Sequence, residues 1–90
     1  MPKTPDVRLR VPIMVNDHFL VNCIESKASF GDAATVRRSL AEQFAGYTRL
    51  FGPGMVIYWN GVVSDADYGA DARHDVLIVG AFPRKVAIFS

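Results

Sequence analysis

Asp6, Glu25 and Lys27 are the residues of this chain whose types and spacing could do chemistry together. Two carboxylates held close offer hard oxygen ligands of the kind that suit Mg²⁺ or Mn²⁺, ions that keep several waters for a substrate phosphate. Such an ion would stabilise charge on a scissile phosphate and lower the pKa of a bound water. An ammonium alongside would position that water or stabilise the developing charge. These are the parts that hydrolysis of a phosphodiester needs.

The three residues are far apart in sequence, so strands must bring them together. Val7–Val15 alternates, with Val7, Leu9, Val11, Ile13 and Val15 on one face. Pro12 cannot donate to a ladder, which predicts an unpaired side at that point. Asn16 and Asp17 tolerate positive φ and suit a two-residue turn. Phe19–Lys27 reads as the second strand. If that turn closes the hairpin, Asp6 falls opposite Lys27, Arg8 opposite Glu25 and Arg10 opposite Cys23. Opposed residues share a face. The other face carries Val7, Leu9, Val11 and Ile13 beside Ile24 and Leu20, an adequate core. Arg8 and Arg10 then lie on the charged face, where they could grip phosphates. Strand ends often carry charges, however, and an Arg8–Glu25 cross-strand pair would look the same; spacing does not decide between the two.

After the hairpin, Gly31 and Asp32 punctuate, and Asp32 is a candidate N-cap for a helix over residues 32–50. Val36, Leu40, Phe44, Tyr47 and Phe51 give it one apolar face. Gly52-Pro53-Gly54 stops it. Residues 55–63 form a continuous apolar strand, expected to be central and covered on both faces, with Tyr58 and Trp59 in the core. Asn60-Gly61 could instead be a tight turn. Residues 64–74 are polar and expected to loop, and residues 75–82 and 85–89 read as two short strands broken by Pro83. The order β-β-α-β-β-β predicts an α/β domain with a mixed sheet and one packed helix.

Composition bounds the rest. Ninety residues fit a single domain, 1–90, of thin stability margin. Half the residues are hydrophobic and 21% are charged, a globular balance. The formal net charge is +1, so no global field advertises a polyanionic partner. The one cysteine, Cys23, excludes an internal disulfide and fits a reducing, intracellular compartment. No apolar run reaches the ~18 residues of a membrane span.

Lys3-Thr4-Pro5-Asp6, Ile24-Glu25-Ser26-Lys27-Ala28-Ser29-Phe30-Gly31-Asp32 and Phe51-Gly52-Pro53-Gly54-Met55-Val56-Ile57-Tyr58-Trp59 together resemble the TPD-motif branch of the PD-(D/E)XK nucleases. That branch has archaeal members and an animal member that partners codanin. The resemblance implies a restriction-endonuclease-like core and metal-dependent hydrolysis of DNA, with RNA not excluded. It implies Asp6 and Glu25 as ligands of Mg²⁺ or Mn²⁺, a backbone carbonyl near Ser26 completing the shell, and Lys27 as the catalytic lysine. Gln43 and Tyr47 match the Gln-x-x-x-Tyr signature of RecB-like members, in which both side chains approach the site and the DNA. It further implies a homodimer, as in many small nucleases, and a codanin-like partner in a eukaryote. The compartment would be nuclear or cytoplasmic in a eukaryote and cytoplasmic in an archaeon. A non-catalytic scaffold on the same fold is the competing expectation.

The chain departs from the family in showing no counterpart of the usual N-terminal helix, of the strand before the aspartate strand, or of an upstream helical region that helps hold DNA. It is therefore expected to be part of a longer protein, or to depend on self-association. Other polar groups carry less. Arg37, Arg38 and Arg49 read as a solvated helix face, and Cys23 as packing. His18 and His74 lack partners at zinc spacing. Asp65, Asp67, Asp71 and Asp75 are too loosely spaced for a calcium loop.

Overall fold

The hairpin forms, but in a different register from the one a two-residue turn dictates. In the computed structural model, which describes residues 5–17, 19–62 and 76–88, β1 (Val7–Val15) and β2 (Phe19–Lys27) are antiparallel. Asn16 and Asp17 both take positive φ, 53° and 66°. The turn is one residue longer than predicted, so Val15 faces Phe19 and Ile13 faces Val21. The register then shifts between Ile13 and Arg8, the stretch containing Pro12, whose missing N–H breaks the ladder. Beyond that irregularity Arg8 faces Cys23 and Val7 faces Ile24. The predicted pairings of Arg8 with Glu25 and of Arg10 with Cys23 are therefore corrected.

β2 continues through α1 (Ala33–Ser39), a π-helical turn (Leu40–Phe44) and α2 (Ala45–Phe51), one continuous helix with a wide turn at its centre. The N–H of Ala45 donates to the carbonyl of Leu40, five residues back. Asp32 caps the start, its carboxylate accepting from the Thr35 N–H at 2.8 Å. The predicted apolar face is the one that packs: Val36, Leu40, Phe44 and Tyr47 are buried and Phe51 is half-buried against them.

The Thr35 N–H holds the Asp32 carboxyl below the usual carboxylate range. Its contribution to stability is thus full above the unfolded aspartate value of ~3.9 and is lost as pH falls through the lower folded value. Asp32→Ala is expected to lower the melting temperature at pH 7 by several degrees, whereas Asp32→Asn keeps the cap and loses only this acid-sensitive part. Thermal melts from pH 7 to pH 2.5 would check both.

The helix ends at Gly52, whose φ of 89° is open to glycine, and a Cβ there would sit 2.9 Å from the Asn22 side chain. The chain then enters β3 (Gly54–Tyr58), parallel to β2 and buried at all five positions. Gly54 lies so close to β2 that a Cβ would meet the Cys23 sulfur at 2.7 Å. β3 stops at Tyr58, not at Val63 as predicted: Trp59 and Asn60 form a turn, Gly61 takes a φ of 101°, and its N–H returns to the Tyr58 carbonyl at 2.9 Å. Trp59 is consequently 51% exposed and is not core, while Tyr58 is fully buried as predicted.

β4 (Val76–Val79) adds parallel to β3, and β5 (Val86–Ile88) pairs antiparallel with the turn end of β1. The result is an α/β arrangement with a mixed five-stranded sheet in the order β4-β3-β2-β1-β5. One face carries Cys23, Val56, Tyr58, Val76 and Ile78 under the helix. The other gathers Val15, Val21, Met55 and Ile57, with Leu9, Ile13 and Ile24 against them. Val7 and Val11, expected in this second core, are 44% and 48% exposed, and Val21 takes the place expected of Leu20. No helix among the described residues is long and apolar enough to cross a membrane.

Candidate functional site

The register shift places Asp6 beside Glu25. The Asp6 N–H donates to Glu25 Oε1 at 2.9 Å, and the Ser26 N–H donates to Asp6 Oδ2 at 2.8 Å. Each carboxylate is thus held by the other strand's backbone. Pro5, buried just before Asp6, fixes the entry of the chain. Asp6 was expected opposite Lys27; it sits instead against the residue two positions earlier, still on the helix-facing side of the sheet.

Glu25 is the one buried charged residue among the described residues, 7% exposed. Burial pushes its carboxyl above the usual range and the charge of Asp6 adds to this, while the Asp6 N–H and the Lys27 ammonium pull it back. Lys27 Nζ lies 3.8 Å from Glu25 Oε2 and donates to Gln43 Oε1 at 2.7 Å. It also sits 5.5 Å from the centroid of the Phe44 ring. The Tyr47 hydroxyl donates to Glu25 Oε2 at 3.5 Å. Burial, then the Glu25 charge, pushes the Tyr47 hydroxyl pKa up, so it remains a donor at neutral pH.

Gln43 lies within the π-helical turn and Tyr47 one turn later, so the widened stretch of the helix is the part that meets the lysine. A cavity of about 330 Å³ opens there, lined by Lys27, Ser39, Glu42 and Gln43. The structure therefore brings Asp6, Glu25, Lys27, Gln43 and Tyr47 into one connected network, with Ser26 joined to it through its N–H.

Arg8 and Arg10 stand apart from that network. The Arg8 guanidinium lies over the Phe51 ring, 4.7 Å from its centroid, which disposes of an Arg8–Glu25 ion pair. Arg10 is exposed within the irregular stretch of β1. Arg37, Arg38 and Arg49 are exposed on the helix. Cys23 is buried, and burial raises its thiol pKa, followed by the effect of Glu25. His18, His74, Asp65, Asp67, Asp71 and Asp75 lie outside the described residues. Among the described residues no group of three or more His, Cys, Asp or Glu side chains converges.

Two neighbours of the site were not anticipated as such. Phe44 read only as core, yet its ring floors Lys27. Trp59 also read as core, yet its indole N–H donates to the hydroxyl of Ser26, the residue between Glu25 and Lys27 whose side chain takes the opposite face of the sheet. The Asn60-Gly61 pair after Trp59 was the available signal that the strand had ended.

Comparison with known proteins places the chain in a family. A family described as a protein of unknown function with a TPD sequence motif matches residues 1–82. CDAN1-interacting nuclease 1 of Danio rerio is 46% identical over 85 residues, 94% of this chain and 27% of that protein. Its Xenopus laevis and human namesakes are 44% and 42% identical, over 96% and 93% of this chain and 27% and 29% of theirs. The chain thus spans little more than a quarter of the length of the curated relatives it matches. No solved structure matches it significantly.

Proposed function

This chain belongs to the TPD sequence-motif family, and from that membership and its site we propose that it is a metal-dependent nuclease core of PD-(D/E)XK type, hydrolysing DNA phosphodiesters. The observation that carries this is the interlocked Asp6–Glu25 pair with Lys27 tethered beside it. A carboxylate buried against a second carboxylate is a liability to stability, and it makes sense where a cation relieves it.

The donor set fits Mg²⁺ or Mn²⁺, hard ions commonly held by one or two carboxylates with water and substrate oxygens filling the remainder. Asp6 and Glu25 would hold the ion, with the Ser26 carbonyl as the further protein ligand. When bound, it would supply charge stabilisation at the phosphate and a more acidic water. The chain's own residues do the rest. Lys27, fixed by Gln43 and by the Phe44 ring, presents an ammonium to the attacking water and to the charge that grows on the phosphoryl oxygens. Gln43 orients that ammonium and can reach phosphate in its turn. Tyr47 donates to Glu25 and holds its rotamer. Arg8 and Arg10 lie further along β1, where a duplex or strand backbone would run.

A scaffold that binds a codanin-like partner is the second reading, favoured by the relatives' designation as CDAN1-interacting. A dimer would bring two such sites to the two strands of a duplex.

The test is cleavage of labelled single-stranded, duplex, flap and four-way-junction DNA with Mg²⁺, Mn²⁺ or chelator. Metal-dependent cutting is expected, and a folded chain that cuts nothing with either ion would favour the scaffold. A second readout needs no turnover. Mn²⁺ at one hundred times its Kd should stabilise the fold by about 2.7 kcal/mol, which is on the order of 10–20 °C for a domain of this size. Glu25→Gln should abolish that shift while raising the metal-free melting temperature. The sign follows from the raised Glu25 pKa: the ionised carboxylate weakens the fold as pH rises through its folded value, and the amide carries no such charge.

A further inference from the structure

The loops that follow β2 and β3 leave two aromatic rings in solvent beside the site. Trp59 is 51% exposed and Phe30 50%. Large rings are ordinarily placed where their area is covered, and among the described residues these two are left half in solvent.

Neither ring sits on a loose loop. The Trp59 N–H donates to the Lys27 carbonyl at 3.0 Å, and the Gly31 N–H donates to the Gly61 carbonyl at 2.8 Å. The Asn60 side chain donates to the Ala28 carbonyl, which ties the same two segments a third time. Gly61, with its positive φ, lies against the edge of the Phe30 ring, where a Cβ would stand 3.5 Å from Phe30. The indole itself is fixed by its bond to the Ser26 hydroxyl. Ser26 stands between Glu25 and Lys27, and its N–H holds Asp6. The ring is thus tied, through the Ser26 side chain, to the residue whose N–H holds Asp6.

We propose that Trp59, with Phe30 on the adjoining loop, is a stacking platform for an unpaired base of the nucleic acid whose scissile phosphate would meet Lys27 and the cation that Asp6 and Glu25 would hold. The proposal rests on the nuclease reading and narrows its substrate to single-stranded or splayed DNA. Three features favour a base as the occupant. The polar edge of the indole is already engaged by Ser26, so what remains to offer is the π face, and stacking needs nothing else. The platform is rigid, so a base that lands on it need not order a side chain. The rings also lie at the carboxyl ends of the parallel strands β2 and β3, the edge of an α/β sheet at which ligands gather. A fully paired duplex keeps its base faces inside its own stack and cannot use the platform without unstacking.

Trp59 is the one tryptophan of the chain, so its fluorescence reports this ring alone. Metal-free titration with a short oligothymidine should quench it saturably, and a blunt duplex should not. Anisotropy of labelled oligothymidine should show Trp59→Ala binding weakened roughly 5- to 150-fold. Trp59→Phe, which keeps a ring and loses the bond to Ser26, should stay within about threefold of wild type. If Trp59→Phe binds as poorly as Trp59→Ala, the Ser26 bond and not the ring is responsible, and the platform is overturned. An unchanged Trp59→Ala, or one that loses duplex and single strand equally, also overturns it; the unchanged case leaves the indole to a protein partner.

The two readings fail separately. Quenching that depends on Trp59, without metal-dependent cleavage, sustains the platform and removes the nuclease. Cleavage unaffected by Trp59→Ala on every substrate does the reverse. A folded chain that neither binds nor cuts any oligonucleotide removes both.

Discussion

Lys27→Ala should lower metal-dependent cleavage by about 10²–10³-fold, the loss seen when one preorganised donor to a developing oxyanion is removed, while the chain still folds. The ammonium is placed for that role by three contacts: Gln43 at 2.7 Å, Glu25 at 3.8 Å and the Phe44 ring at 5.5 Å. None of these is worth much to the fold. The lysine side chain is 26% exposed, and ion pairs and ring contacts open to solvent contribute about 1 kcal/mol or less each. Removing the ammonium also removes one of the two influences that restrain the Glu25 pKa, the larger being the Asp6 N–H. The activity that survives should therefore shift its rise to higher pH. The measurement is single-turnover cleavage from pH 5.5 to 9 beside a melting curve. A Lys27→Ala chain that cuts at the wild-type rate would sink the assignment of the lysine.

Phe44→Ala should have the largest effect on stability, about 3–5 kcal/mol, since the ring is 1% exposed and truncating such a ring leaves a cavity. Against total stabilities of about 5–15 kcal/mol for ordinary domains, and less margin in a chain this short, that loss unfolds a substantial fraction of molecules at 37 °C. Phe44 also packs 6.1 Å, centre to centre, from the Tyr47 ring, so the cavity opens directly under two members of the site. Phe44→Leu separates the two roles. It keeps most of the buried volume and takes away the π face under Lys27, so the melting temperature should fall less and cleavage should still drop severalfold. Denaturant unfolding of both variants alongside their cleavage rates would check this, and a neutral Phe44→Ala would contradict the packing described.

Much of the fold was legible because the apolar spacing of helix and strands is a local property. Asp32 as N-cap and the buried face Val36, Leu40, Phe44, Tyr47 could be read from residue types alone. The hairpin shows why a wrong register still yielded the right face. Near Asp6 the observed pairing differs from the simple turn by two residues, the side-chain period of a strand, so Asp6, Glu25 and Lys27 stay on the helix side. Near the turn the difference is one residue, and there the faces do exchange, Val21 replacing Leu20. Pro12 signalled a break in the ladder but not how many residues it would absorb.

The π-helical turn was invisible for a different reason. Side-chain spacing does not record whether an N–H reaches back four residues or five. Trp59 misled because an apolar run continues past the point where the strand leaves the sheet. Only the Asn60-Gly61 turn chemistry marks that point. The roles of the site residues in catalysis belong to the experiments above.

The partition of labour along the chain has a genetic consequence. Apart from Trp59, every group in the polar network lies between residues 6 and 47, whereas the strand that seals the sheet, Gly54–Tyr58, comes afterwards and is buried at each position. Variants should therefore fall into two families by position. Those at the polar groups Lys27 and Gln43 would yield full-length, abundant, inert molecules able to compete with wild type. Those in Gly54–Tyr58 and Val76–Val79 would yield molecules cleared before they act, and so recessive.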